Sequence, residues 1–163
     1  MKRFLTRTLL LRVTAFGLTF VLSVTAFTAY KIYVNWQSVF VSAAFEGRSR
    51  TMKIMYAVGA DVNAPGCETR YCLTPTVAAA WGGHTDILEF LLDHGADVNR
   101  TGRFGTTPLM MAAYFGNTET VHLLLTRGAN PNIITDEGET ALSFAKQKQR
   151  WKTIRLLEEA GAR

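Results

Sequence analysis

A five-residue signature returns along this chain at a nearly fixed interval. Gly95-Ala96-Asp97-Val98-Asn99 reappears as Gly128-Ala129-Asn130-Pro131-Asn132, 33 residues on, and its first two residues return as Gly161-Ala162 after another 33. An earlier copy, Gly59-Ala60-Asp61-Val62-Asn63, lies 36 residues before Gly95. The same register carries Ala43-Ala44, Ala79-Ala80, Ala112-Ala113 and Ala145, and also Thr74-Pro75, Thr107-Pro108 and Thr140-Ala141. A period of this length makes each copy one supersecondary unit that cannot bury its apolar face alone. The core must come from stacking neighbours.

The residues inside one copy are consistent with a pair of helices. Thr107 suits a helix N-cap, and Pro108 suits the first helical position, where no amide partner is needed. Ala112 and Ala113 are small enough for paired helices to approach closely. Gly116 ends the first helix. Val121, Leu123, Leu124 and Leu125 are expected to form the buried side of the second, and Gly128 to supply the left-handed residue that stops it. Asn130 to Gly138 then makes an extended turn to the next unit. Trp81-Gly82-Gly83 and Leu88, Phe90, Leu91 and Leu92 fill the same roles one copy earlier.

These residues resemble the ankyrin repeat, whose unit carries a TPLHxAA-type start, a central Gly, a leucine-rich second helix and a GA-x-VN ending. The resemblance implies an all-α solenoid of about four helix-turn-helix units with connecting β-turn loops, over residues 36–163. The units fall at about 36–63, 70–99, 102–132 and 135–163. The first has Ser38-Val39 in place of Thr-Pro. The last has Lys146 where the others have Ala, followed by Gln147, Lys148, Gln149, Arg150 and Lys152, a polar face of the kind an end repeat needs.

Ahead of the repeats lies a basic stretch, residues 1–12, and a transmembrane or signal segment, residues 13–35. Val13 to Tyr30 contains 18 residues without a charge. At about 1.5 Å of rise per residue, such a helix just spans a bilayer core. Lys2, Arg3, Arg7 and Arg12 precede it, so the positive-inside bias keeps the N-terminus cytoplasmic and sends the rest across. The expectation is an inner-membrane anchor with the repeats in the periplasm. Tyr30, Tyr33 and Trp36 would form an interfacial aromatic belt. The alternative is a cleaved signal, with Val24-Thr25-Ala26 as a small-residue site. The net charge of +5 belongs to residues 1–35, which have five basic residues and no acid. The other 128 residues carry 13 of each sign. A neutral repeat region argues against binding nucleic acid.

The 36-residue interval places three extra residues in the first connection, within 64–72. Cys67 and Cys72 lie within this stretch. A structural disulfide suits an oxidising compartment and a short loop. Free thiols, or metal or redox chemistry, are the other readings. A zinc site needs about four ligands, and no further His or Cys lies close in sequence.

No catalytic set emerges. His84, His94 and His122 are isolated, and the family commonly uses the position of His84 as a structural hydrogen-bonder. Asp136, Glu137 and Glu139 read as a solvated turn. No cofactor, metal or small-molecule substrate is expected. The resemblance implies instead a protein partner bound on a concave face built from turn tips and first-helix ends. Matching positions are Phe45 and Glu46, then Arg70, Tyr71, Leu73 and Trp81, then Arg103, Phe104, Thr106, Tyr114 and Phe115, then Asp136, Glu137, Glu139, Gln147 and Lys148. Among them Arg70, Tyr71, Trp81, Arg103, Phe104, Tyr114 and Phe115 are of the types enriched at interface hot spots. The expected function is a non-catalytic interaction module that scaffolds or stabilises an enzyme, with an immunity-type inhibitor of a toxin as the alternative.

Overall fold

The computed structural model describes residues 35–67 and 72–163. The expected N-terminal membrane or signal helix lies outside those residues. Among the described residues, no helix is long and apolar enough to cross a membrane.

The described chain is a series of helix pairs. The first pair is α1, whose described part covers residues 35–45, and α2, Ser49–Ala57. Then follow α3 (Pro75–Gly82) with α4 (Thr85–Asp93), α5 (Pro108–Phe115) with α6 (Thr118–Thr126), and α7 (Ala141–Gln147) with α8 (Trp151–Glu159). First helices pack on first helices, α3 on α5 and α5 on α7. Second helices form the other layer, α4 on α6 and α6 on α8. Between pairs, the chain leaves as narrow fingers.

Local chemistry sets the helix bounds. The hydroxyls of Thr74, Thr107 and Thr140 accept from the amides of Val77, Met110 and Ser143 at 3.2–3.3 Å. Each such cap contributes about 1 kcal/mol. Without a Thr-Pro start, α1 runs straight through Ser38 and Val39. Helices α3 and α5 both stop at a left-handed glycine, Gly83 (φ 72°) and Gly116 (φ 76°). In the last pair Gln149 takes that place at φ 54°. The second helices are buried more narrowly than their composition implies. Val121, Leu124, Leu88 and Leu91 are buried, whereas Leu123, Leu125, Phe90 and Leu92 are only half-buried. A surface helix of about nine residues turns only one stripe to the core, so the outer leucines remain at its edge.

Hydrogen bonds between units explain the repeating signature. Asn63 Oδ1 accepts from the amide of Asp97 at 2.8 Å, Asn99 Oδ1 from Asn130 at 2.8 Å, and Asn132 Oδ1 from Arg163 at 2.9 Å. Each asparagine thus ties its own unit to the Gly-Ala turn of the next. The first unit has no described predecessor to supply an asparagine, and Gln37 substitutes from within α1. Its Oε1 accepts from the amide of Asp61 at 3.3 Å, and its Nε2 donates to Asp61 O at 2.6 Å and Ala64 O at 3.0 Å. Gln37 is buried, and nothing in the repeat pattern marks it.

A second set of ties closes the ends of the first helices. His84 Nε2 donates to Phe45 O at 3.0 Å, Asn117 Nδ2 to Ala80 O at 3.1 Å, and Arg150 Nε to Tyr114 O at 3.3 Å. Helix C-termini leave carbonyls without partners, and the next unit supplies donors to them. His84 is therefore the structural hydrogen-bonder that its position implied. The approach is tight. A Cβ on Gly82 would stand 2.6 Å from Phe45 O and 2.5 Å from the His84 ring.

Gly82→Ala should accordingly destabilise the protein by about 1–3 kcal/mol, the usual cost of overpacking. Urea unfolding of the full-length protein checks this. An unchanged midpoint would mean that the first two units can separate without loss.

Candidate functional site

The fingers stand side by side through backbone hydrogen bonds. Within fingers, Gly66 N donates to Leu73 O at 3.0 Å, Gly102 N to Thr106 O at 2.8 Å, and Thr135 N to Glu139 O at 2.9 Å. Between fingers, Arg103 N donates to Cys72 O at 3.0 Å and Asp136 N to Phe104 O at 3.2 Å. Cys67 and Cys72 form a disulfide across the first finger. This is the structural bridge among the three readings of that pair. Closing so short a loop contributes at the low end of disulfide stabilisation, about 2 kcal/mol.

The fingers and the first helices enclose a hollow of about 260 Å³. Leu73 and Trp81 come from the second unit, Phe104 and Met111 from the third, and Phe144 from the fourth. Arg103, Glu137 and Glu139 supply charge at its edges. Trp81, Arg103 and Phe104 thus converge, as their register implied. Met111 and Phe144 were missed. They share one register position, a helical turn before Tyr114 and Gln147 on the same stripe. Stepping back three residues from the expected ring positions would have found them.

A row of rings runs beside the hollow along the first helices. Phe45 meets Trp81 edge-on, with centroids 5.4 Å apart, and Trp81 stacks on Phe115 at 5.8 Å with 19° between planes. Tyr114 meets Phe115 at 4.9 Å and Phe144 at 5.9 Å, with the Lys148 ammonium 4.6 Å from its own ring centroid. Trp81 is therefore packed between neighbouring units, and Tyr114 packs against Phe144 of the fourth unit. Phe45 and Phe115 still leave 41% and 37% of their surface open. Tyr114 and Phe115 belong to this row and do not line the hollow. Arg70 and Tyr71 lie outside the described residues.

Phe104 is the anomaly. It sits at φ 61°, ψ 23°, followed by Gly105 at φ 71°. Two left-handed residues in succession make the Arg103–Thr106 finger tip a type I′ turn, which favours Asn-Gly or Gly-Gly. The Thr106 amide donates to Arg103 O at 3.4 Å across it. A phenylalanine in this conformation costs roughly 1–2 kcal/mol. The residue is 55% exposed, with the Arg103 guanidinium carbon 4.7 Å from the ring centroid. The strain holds an aromatic ring out at the rim of the hollow. Strain of this kind concentrates where a side chain is held for binding.

A family model described as ankyrin repeats, in three copies, matches residues 77–163, just over half of the chain. No curated protein matches it.

Phe104→Asn should relieve the turn and stabilise the protein by roughly 1 kcal/mol, because asparagine tolerates the left-handed region. Thermal unfolding of the full-length variant reads this directly. A lower midpoint would mean that ring packing outweighs the backbone strain.

Proposed function

Since this chain belongs to the ankyrin-repeat family, we propose that it is a non-catalytic module that binds a protein partner across its fingers and first helices. Ankyrin repeats make protein–protein interaction modules, and the family is generally non-catalytic. The observation that carries the reading is the half-open aromatic face. Phe45, Phe104 and Phe115 remain partly exposed beside an apolar hollow. Rings of this kind, set in or around a pocket, are the residues on which interface energy concentrates.

The same proposal places the module at a membrane. An uncharged stretch at residues 13–30 follows four basic residues, the order expected of an anchor with a cytoplasmic N-terminus. The Cys67–Cys72 disulfide suits an oxidising compartment on the far side, such as a periplasm. There the module scaffolds or stabilises a resident enzyme.

Two experiments test this. In cells making the full-length protein, an alkaline wash should leave it in the membrane fraction. Protease added to spheroplasts should remove the repeats. Release by the wash would sink the anchor, and protection from protease would sink the topology. Second, affinity capture from native membranes should recover one protein in stoichiometric amount. Phe104→Ala/Phe115→Ala should weaken that complex by about 2 kcal/mol, roughly thirtyfold. Equal recovery by both forms would rule out the aromatic face. A partner whose activity is silenced in the complex would reassign the role from stabiliser to immunity-type inhibitor.

A further inference from the structure

The hollow has a size, a lining and an asymmetric charge, and together they describe what fills it. At about 260 Å³ it falls below the range of about 300–1,000 Å³ typical of small-molecule and cofactor sites. Its walls are Leu73, Trp81, Phe104, Met111 and Phe144, from three successive units. Apolar walls on that scale fit a single large side chain, in the way that an interface anchor fills its pocket.

The charge is unequal from side to side. Glu137 and Glu139 line the fourth-finger edge, and Asp136 sits beside them at the fingertip. Among the described residues, no cation stands within 4.0 Å of these three carboxylates. Arg103 of the third finger lines the same hollow, with its guanidinium over the Phe104 ring. With two glutamates and one arginine among its lining residues, the hollow presents a net negative edge beside apolar walls. Such a field attracts a basic group and rejects an acidic one.

We propose that the partner inserts one large apolar side chain into this hollow and sets a lysine or arginine next to it, against Glu137 and Glu139. The inference rests on the binding function proposed above and specifies its chemistry. Apolar burial by the anchor supplies affinity. The basic residue supplies selection, since an acid in its place would face two carboxylates at the rim of a low-dielectric pocket.

Phage-displayed random dodecapeptides, selected on the full-length protein, provide the probe. The enriched pool should share one Leu, Met, Phe or Trp with a Lys or Arg within a few residues of it. Peptides from that pool should lose about tenfold or more in affinity on Glu137→Lys/Glu139→Lys, which turns two attractions into repulsions. They should lose a similar factor on Phe104→Ala. Both changes lie on exposed or half-buried finger residues, and equal unfolding midpoints would confirm that the variants remain folded. A pool that binds the charge-reversed variant as well as wild type overturns this inference. The binding face stands in that case, provided Phe104→Ala weakens the peptides. A pool indifferent to Phe104→Ala and Phe115→Ala as well overturns both readings. A pool without a shared apolar-basic pair overturns the inference alone.

Discussion

Everything in this fold depends on how closely one first helix approaches the next. Ala43, Ala79, Ala112 and Ala145 occupy the same register, and all are buried. Larger side chains there would push the helices apart, since interiors tolerate little added volume. At the separation that alanine permits, the carbonyls ending one first helix come within reach of the next unit. His84, Asn117 and Arg150 then reach Phe45 O, Ala80 O and Tyr114 O. The same approach stacks Trp81 on Phe115 and sets Phe45 against Trp81. Core, end-capping and ring row all follow from one small-residue seam.

The units are alike in scaffold and unlike in surface. Each carries an N-capping threonine or its substitute, a helix-ending turn and an asparagine tie, apart from the two ends. There Gln37 replaces a missing asparagine and Gln149 replaces a glycine. Gln37 ties the first unit's turn from within its own helix, and Gln149 holds the left-handed position that glycine holds elsewhere. The Arg103–Thr106 fingertip departs differently. A residue with left-handed tolerance would be more stable at position 104 than phenylalanine. The phenylalanine is more than half exposed and is no part of the buried core. Its position is best understood as stability given up for an exposed aromatic at the mouth of the hollow.

The repeats contribute no net charge of their own, so charge matters here by position. The fourth finger concentrates acid at one side of the hollow. The last pair carries Lys146, Lys148, Arg150 and Lys152 around its α7–α8 turn, with Lys146 3.6 Å from Glu158 and both Lys148 and Arg150 reaching Tyr114 of the third unit. A partner meeting this surface encounters a patterned field. Patterned fields govern orientation and selection more than total affinity.

The sequence by itself determined the architecture. The spacing of Gly-Ala-Asp-Val-Asn counts the units, Thr-Pro marks where first helices begin, and paired alanines mark the seam. All of these act within one unit or between immediate neighbours, so a one-dimensional pattern carries them. It also placed Trp81, Arg103 and Phe104 on one face. Only the tertiary structure decided how that face is arranged. The hollow takes walls from Leu73, Phe104, Met111 and Phe144, residues up to 71 positions apart, and its shape depends on the offset between units. The left-handed turn under Phe104 depends on the hydrogen bonds that hold the fingers side by side. Register assigns a residue to a face. Which rings pack on each other, as Trp81 and Tyr114 do, and which stay partly exposed, is decided by distances that no repeat pattern contains.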